Sequence, residues 1–183
     1  MAVKNLASGW AQDRSRQEAI TPAKRMPGRH QTMINKNFFR FVDEILDRQR
    51  ITAKDVAYLQ REILPDGIAF REEADVLIAL DRAVKDQDAS FADCLVAMVV
   101  DFVVWGERPT GIVRGEDAHW LVTSLGAGGG PTVNALRIGM EVVREAQQVD
   151  EVLLAFLLRG QGNRLRRALG VPVKAMPRRF AAA

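Results

Sequence analysis

The stretch from Phe91 to Trp105 constrains the fold more than any other part of the chain, because its fifteen residues are apolar on nearly every side. This length exceeds that of most strands, and the patterns on both sides of it are helical. A helix that is apolar all round must be covered by other elements. Asp93 and Asp101 argue against contact with lipid, so we expect a buried central helix. We expect both acids to pair with arginines of neighbouring helices, although buried acids also mark functional sites.

Helical periodicity on both sides supplies the elements that can cover this helix. Between Phe38 and Leu46 the apolar residues recur at intervals of three and four. Thr52 and Asp55 have the spacing of a capping box at a helix start. Further helical patterns occupy 71–84, 116–125, 131–143 and 152–158. Gly160 is expected to end the last helix, and the last two patterns could also form one continuous helix. The sequence therefore predicts an all-α orthogonal bundle of about six or seven helices.

A short sequence similarity suggests an internal duplication at an offset of 44 residues. The segment from Pro65 to Ala74 resembles the segment from Pro109 to Ala118, and each has a Pro-x-Gly-Ile turn before an acidic helix start. Gly67 and Gly111 would supply the positive φ that such a turn requires. The apolar residues after them, Ile68 and Ile112, could pair as a two-strand bridge. Chance similarity of two turns is the alternative to a duplicated helix-loop-helix unit.

The charge is distributed very unevenly along the chain. Residues 1–36 carry a net charge of +5, residues 37–158 carry −9, and residues 159–183 carry +7. We interpret these segments as a basic, largely irregular N-terminal tail, a helical core domain and a basic C-terminal tail. The ends could bind an acidic partner or nucleic acid, or they could fold back on the acidic core. At the C-terminal end the candidate contacts are Arg164, Arg166, Arg167, Lys174, Arg178 and Arg179.

Acidic residues in and around the two turns are the weak candidates for metal ligands. They are Asp66, Glu72, Glu73, Glu116 and Asp117. Their place in the first helical turn is explained equally by the helix dipole, which favours negative charge there. An EF-hand loop needs oxygen ligands where this chain has Ile68 and Phe70, so calcium binding of that kind is not expected.

The two units together resemble the tellurite-resistance TerB-like group of helical proteins. The resemblance is carried by Asp66-Gly67-Ile68 with Glu72-Glu73-Ala74, and by Gly111-Ile112-Val113 with Glu116-Asp117-Ala118 and Trp120-Leu121. It covers about residues 45–160. It implies an all-α bundle with an acidic, metal-linked surface, and it implies no reaction. Thr110 departs from the pattern, because the first unit has an acid at the corresponding position.

Catalytic signatures are not found in the sequence. Cys94 is the single cysteine and lies in an apolar run, as a buried structural thiol would. His119 is expected to be a packing or surface residue of a helix rather than a base. The glycines from Gly126 to Gly130 lack the Lys-Ser or Lys-Thr ending of a phosphate-binding loop and are expected to form a linker. We expect no cofactor.

The features together favour a non-enzymatic interaction or regulatory protein of the bacterial cytoplasm. The acidic core would bind a protein partner, and the basic ends would add electrostatic contacts. A metal-linked stress-response protein of the TerB-like type is the first alternative, and an enzyme of unrecognised type is the second. The sequence has no run of about 18 uncharged apolar residues, so a transmembrane helix is not expected.

Overall fold

The structure is a computed structural model that describes residues 36–106 and 108–168, with the backbone alone at 166 and 167. The described residues all belong to one compact unit. They form seven α-helices and four strands of two residues each, so the predicted all-α class is confirmed. Apart from Lys36, the expected N-terminal tail lies outside the described residues. The orthogonal packing of the helices stays a prediction.

The helices and strands follow each other in a regular order. The helices are α1 (Lys36–Arg48), α2 (Ala53–Tyr58), α3 (Arg71–Ala83), α4 (Ala89–Asp101), α5 (Gly115–Gly126), α6 (Val133–Glu145) and α7 (Glu151–Ala168). The strands are β1 (Arg50–Ile51), β2 (Asp86–Gln87), β3 (Ile112–Val113) and β4 (Gln148–Val149). Single π-helical turns, Leu59–Ile63 and Phe102–Gly106, extend α2 and α4. Strand β1 pairs in parallel with β2, and β3 pairs in parallel with β4.

The order of elements recurs at an offset of 62 residues. Arg50 and Ile112 begin β1 and β3, and Asp86 and Gln148 begin β2 and β4, at this same separation. The starts of α2 and α5, of α3 and α6, and of α4 and α7 are also 62 residues apart. Helix α4 therefore closes a first unit, α1 to α4, and opens a second unit, α4 to α7.

Equivalent hydrogen bonds join the strands to the following helices in both units. The backbone N–H of Asp88 donates to Ile51 at 2.9 Å, and that of Asp150 donates to Val113 at 2.9 Å. Each aspartate also caps its helix, by accepting from the backbone N–H two residues further on. The Ser90 hydroxyl and N–H lower the pKa of Asp88, and the backbone N–H groups of residues 152 and 115 lower that of Asp150. Both caps therefore favour the ionised carboxylate.

One expected contact between the two turns is wrong. Ile112 pairs with Gln148 of β4, whereas Ile68 lies buried in a loop and belongs to no strand. The two isoleucines are separate because each short strand pairs with the other strand of its own unit. The expected positive-φ turns are confirmed, with φ of 81° at Gly67 and 77° at Gly111. A duplication at the offset of 44 stays a prediction.

The predicted burial of the central helix is confirmed. Six of its side chains are buried, and α4 packs against α2, α3 and α6. Within the described part, Ala89–Gly106 is the one helix whose length and mean hydropathy of 1.7 would suffice to cross a membrane, and half of it is buried inside the bundle. Asp93 and Asp101 lie at the surface of the helix rather than in the core.

The expected helix end at Gly160 is wrong, because α7 continues to Ala168. Gly160 is buried against α6, and a Cβ atom there would collide with Cδ2 of Leu136. This glycine therefore permits close packing of two helices and does not end one. Strand β4 separates α6 from α7, so they do not form one continuous helix. The helical part of the chain thus extends ten residues beyond the core boundary expected at Leu158.

We predict that Gly67→Val and Gly111→Val each lower the free energy of unfolding by about 1–3 kcal/mol, because a β-branched residue is strained at positive φ. Gly111→Val should cost more, since its Cβ would also approach Gln147 Cγ to 3.3 Å, whereas the space at Gly67 is open. Denaturant midpoints measure the effect. Gly162→Ala in α7 is the control, because its surroundings are open and alanine favours a helix. Parental stability of both valine variants would contradict the prediction.

Candidate interaction groove

Glu73, one of the five acidic candidates, is a structural cap. Its side chain is 4% exposed, and Oε2 accepts hydrogen bonds from the backbone N–H groups of Ala69 at 2.9 Å and Phe70 at 3.2 Å. These contacts satisfy donors at the start of α3 that have no partner within the helix. Both bonds converge on the same carboxylate oxygen, so the side chain holds the entry to α3.

The acids at the start of α5 form a network with α3. Arg71 pairs with Asp117 and lies 3.5 Å from Oε1 of Glu116. Its guanidinium also lies over the Trp120 ring, 5.3 Å from the centroid. The indole N–H of Trp120 donates to both carboxylate oxygens of Asp75, at 3.1 and 3.2 Å. The network therefore joins two helices with charge-assisted hydrogen bonds.

The remaining acidic candidates do not join the others. Asp66 and Glu72 are exposed, in the loop before α3 and in its first turn. Within residues 36–106 and 108–168, no group of three or more His, Cys, Asp or Glu side chains is arranged to hold a metal ion. The five candidates are thus divided among a cap, an ion-pair network and two separate surface positions.

The basic candidates at the C-terminal end are only partly described. Arg164 is an exposed residue of α7. Arg166 and Arg167 belong to the same helix, but their side chains lie outside the described part. Lys174, Arg178 and Arg179 lie outside the described residues altogether. Arg164 therefore extends from a helix, within the segment expected to be the basic C-terminal tail.

A groove between α4 and α6 brings together charged residues that are distant in sequence. Val96, Ala97 and Val100 of α4 provide its apolar floor. Four carboxylates and two guanidinium groups surround this floor, and Trp105 lies beside them with 46% of its surface exposed. The charged residues are Asp93, Asp101, Arg137, Glu141, Arg144 and Glu145.

Ion pairs satisfy part of the charge in this groove. Arg137 Nη1 lies 2.7 Å from Asp93 Oδ1, which confirms the expected pairing of that acid with a neighbouring helix. Arg144 pairs with Glu141 and lies 3.8 Å from Oε1 of Glu145. Asp101 has no ion-pair partner among the described residues, so its expected pairing with an arginine is not found there. The groove therefore keeps an excess of negative charge at its Asp101 end.

Trp105 occupies that same end of the groove. Its indole Nε1 is 3.5 Å from Oε2 of Glu145, which is a long hydrogen bond between exposed groups. Its aromatic face is a large apolar surface beside carboxylates. A cation that enters this end of the groove would meet an aromatic face and negative charge together.

Cys94 and His119 take the structural roles expected of them. Cys94 is buried, and burial raises the pKa of its thiol while Gln60 opposes this effect. The thiol is therefore held protonated and lies 3.4 Å from the sulfur of Met98. His119 is exposed on α5, with Nδ1 2.7 Å from the carbonyl oxygen of Gly115.

No protein-family model, no curated protein and no solved structure matches this chain.

The groove could be predicted from the sequence only in part. The spacing of Asp93 and Asp101 placed both acids on roughly the same side of α4. Their distance from Arg137, 44 residues after Asp93, gave no local signal of contact. The exposure of Trp105 was also hidden, because it ends an apolar segment that is otherwise buried. No short-range pattern reports which residue of such a segment reaches solvent.

We predict that Trp120→Phe lowers the free energy of unfolding by about 1–3 kcal/mol, because the Asp75 carboxylate, which is half-buried, loses the indole donor. Chemical denaturation of the full chain measures the loss. Trp105→Phe is the matched control, since its longer bond joins exposed groups and its removal should change stability by less than about 0.5 kcal/mol. Equal effects of the two substitutions would contradict the account of the α3–α5 network.

Proposed function

We propose that the protein is a non-enzymatic interaction protein that binds an arginine-rich surface of a partner protein through the groove between α4 and α6. The observation that carries this proposal is Trp105, half-exposed beside Asp101 and Glu145. Arginine combines a cation with a planar face, so it can stack on an indole while it donates hydrogen bonds to carboxylates. The net charge of −9 over residues 37–158 supports the same polarity of partner.

Such binding would be moderate in strength and sensitive to salt. Exposed ion pairs contribute about 0.2–1 kcal/mol each, and salt screens them. The aromatic contact is less dependent on salt, because it includes apolar area as well as charge. A groove of this kind suits a reversible, regulatory contact more than a permanent complex.

The basic ends of the chain would act separately from the groove. Their charges, +5 in residues 1–36 and +7 in residues 159–183, suit an acidic partner or nucleic acid. Of the six candidate contacts at the C-terminal end, Arg164 is the one whose side chain lies among the described residues.

The metal-linked alternative has less support among the described residues. Glu73, Glu116 and Asp117 already serve in a cap and in ion pairs. A cation bound by both acids of α5 would compete with Arg71 for them. The groove is therefore the better candidate for a function.

The groove is tested by titrating the full chain with an octa-arginine peptide in a calorimeter at low salt. We expect binding, and we expect Trp105→Ala to raise the dissociation constant by about 3- to 30-fold, the range for one cation–π contact. Asp101→Asn with Glu145→Gln should also weaken binding, by about 2- to 10-fold for two exposed pairs.

The matched control is Asp43→Asn with Asp47→Asn, which removes the same charge from the exposed face of α1, outside the groove. This control should change the dissociation constant by less than about twofold if local contacts dominate. An equal loss in the control and in the groove variant would show that only overall charge attracts the peptide. That result, or no binding at low salt, would overturn the proposed function.

A further inference from the structure

Helix α7 exposes a regular apolar stripe. Leu154, Leu158 and Leu165 are 42%, 76% and 63% exposed. With Gln161 they follow the spacing four, three, four, which places all of them on one side of the helix. This spacing is that of a helix seam that packs against another helix, with one polar residue inside the seam.

The buried side of α7 is a different one. Leu153, Phe156, Leu157 and Gly160 face α5 and α6 within the bundle. At the border between the two sides, Gln161 Nε2 donates to the sulfur of Met140 at 3.4 Å, and Met140 is itself exposed. The apolar stripe is therefore continuous with the surface of α6, and it is additional to the packing that holds α7 in place.

The corresponding side of α4 shows what such a stripe does in this fold. At the offset of 62 residues, Leu158 and Gln161 correspond to Val96 and Val99. Val96 is 6% exposed and Val99 is fully buried, because helices of the bundle cover that side of α4. In α7 the same side has no cover among the described residues. The first unit thus buries a face that the second unit presents to solvent.

The charges on α7 favour a second copy of α7, packed antiparallel, as the partner that covers the stripe. Glu151 lies at the start of the stripe, and Arg164 lies near its end, and both are exposed. Antiparallel packing of two copies brings Glu151 of each to the end of the partner helix that carries Arg164. It also aligns the two helix dipoles favourably, whereas parallel packing would place like charges together.

We propose that two copies of this chain form an antiparallel homodimer through the seam of α7, defined by Leu154, Leu158, Gln161 and Leu165. Burial of three leucines from each copy drives the association, and the Gln161 side chain sets the register at a cost in affinity. This seam is separate from the groove between α4 and α6, which is lined by other residues.

Sedimentation velocity of the full chain, from about 1 to 200 µM, tests the seam. We expect a dimer whose fraction rises with concentration. Leu158→Glu should raise the dissociation constant at least about a hundredfold, because two leucine contacts are lost and two charges must be desolvated. Gln161→Leu should tighten the dimer about tenfold, since it removes the polar residue from the seam.

Asn163→Glu is the matched control. It adds the same charge to the same helix on the side away from the seam, at an exposed position, and should leave the dimer unchanged. Glu151→Arg should weaken the dimer, and the double variant Glu151→Arg with Arg164→Glu should restore it. A double variant no tighter than Glu151→Arg would overturn the antiparallel arrangement.

A parent chain that is monomeric at every concentration would overturn the dimer. Equal dissociation by Leu158→Glu and Asn163→Glu would overturn it as well. Leu158→Glu should still bind octa-arginine like the parent, and Trp105→Ala should still dimerise. The seam and the groove can therefore fail independently.

Discussion

Burial of α4 is the interaction on which the rest of the structure depends. The helix is apolar on most sides, so no single neighbour can remove it from water, and it contacts helices of both halves. Helix α4 follows β2, the last strand of the first unit. Its π-helical turn then leads to β3, the first strand of the second unit. The two units consequently share one core instead of joining two separate ones. The groove lies on the side of α4 that faces α6, so its floor depends on the same packing.

Local signals in the sequence predicted the elements but not their relations. The capping box of Thr52 and Asp55 and the positive φ of Gly67 and Gly111 follow from short-range chemistry, and they are present in the structure. Strands of two residues have too little pattern to be recognised, and their pairing depends on helices that lie far apart in sequence. Gly160 was misinterpreted as a helix end because the reason for it, close approach to Leu136, is tertiary.

The candidate surfaces show the same limit. Acids at helix starts suit a cap and a metal ligand equally well, and only the hydrogen bonds of Glu73 identify it as a cap. The residues from Val152 to Leu158 are almost wholly apolar and predict a helix. A sequence does not show how many sides of such a helix its own fold covers. Leu158 is exposed and Val96 is buried, and the recurrence at 62 residues identifies these two residues as equivalent.

Native-state amide hydrogen exchange tests most directly whether α4 forms one core for both units. If it does, the amides of α4 around Leu95 and Val99 exchange only by global unfolding, with the same free energy and denaturant dependence as the whole chain. The most protected amides of the first unit and of the second unit then exchange with that same free energy. The account would be contradicted if one unit opened while α4 stayed protected with the other, or if α4 exchanged faster than α3 and α6.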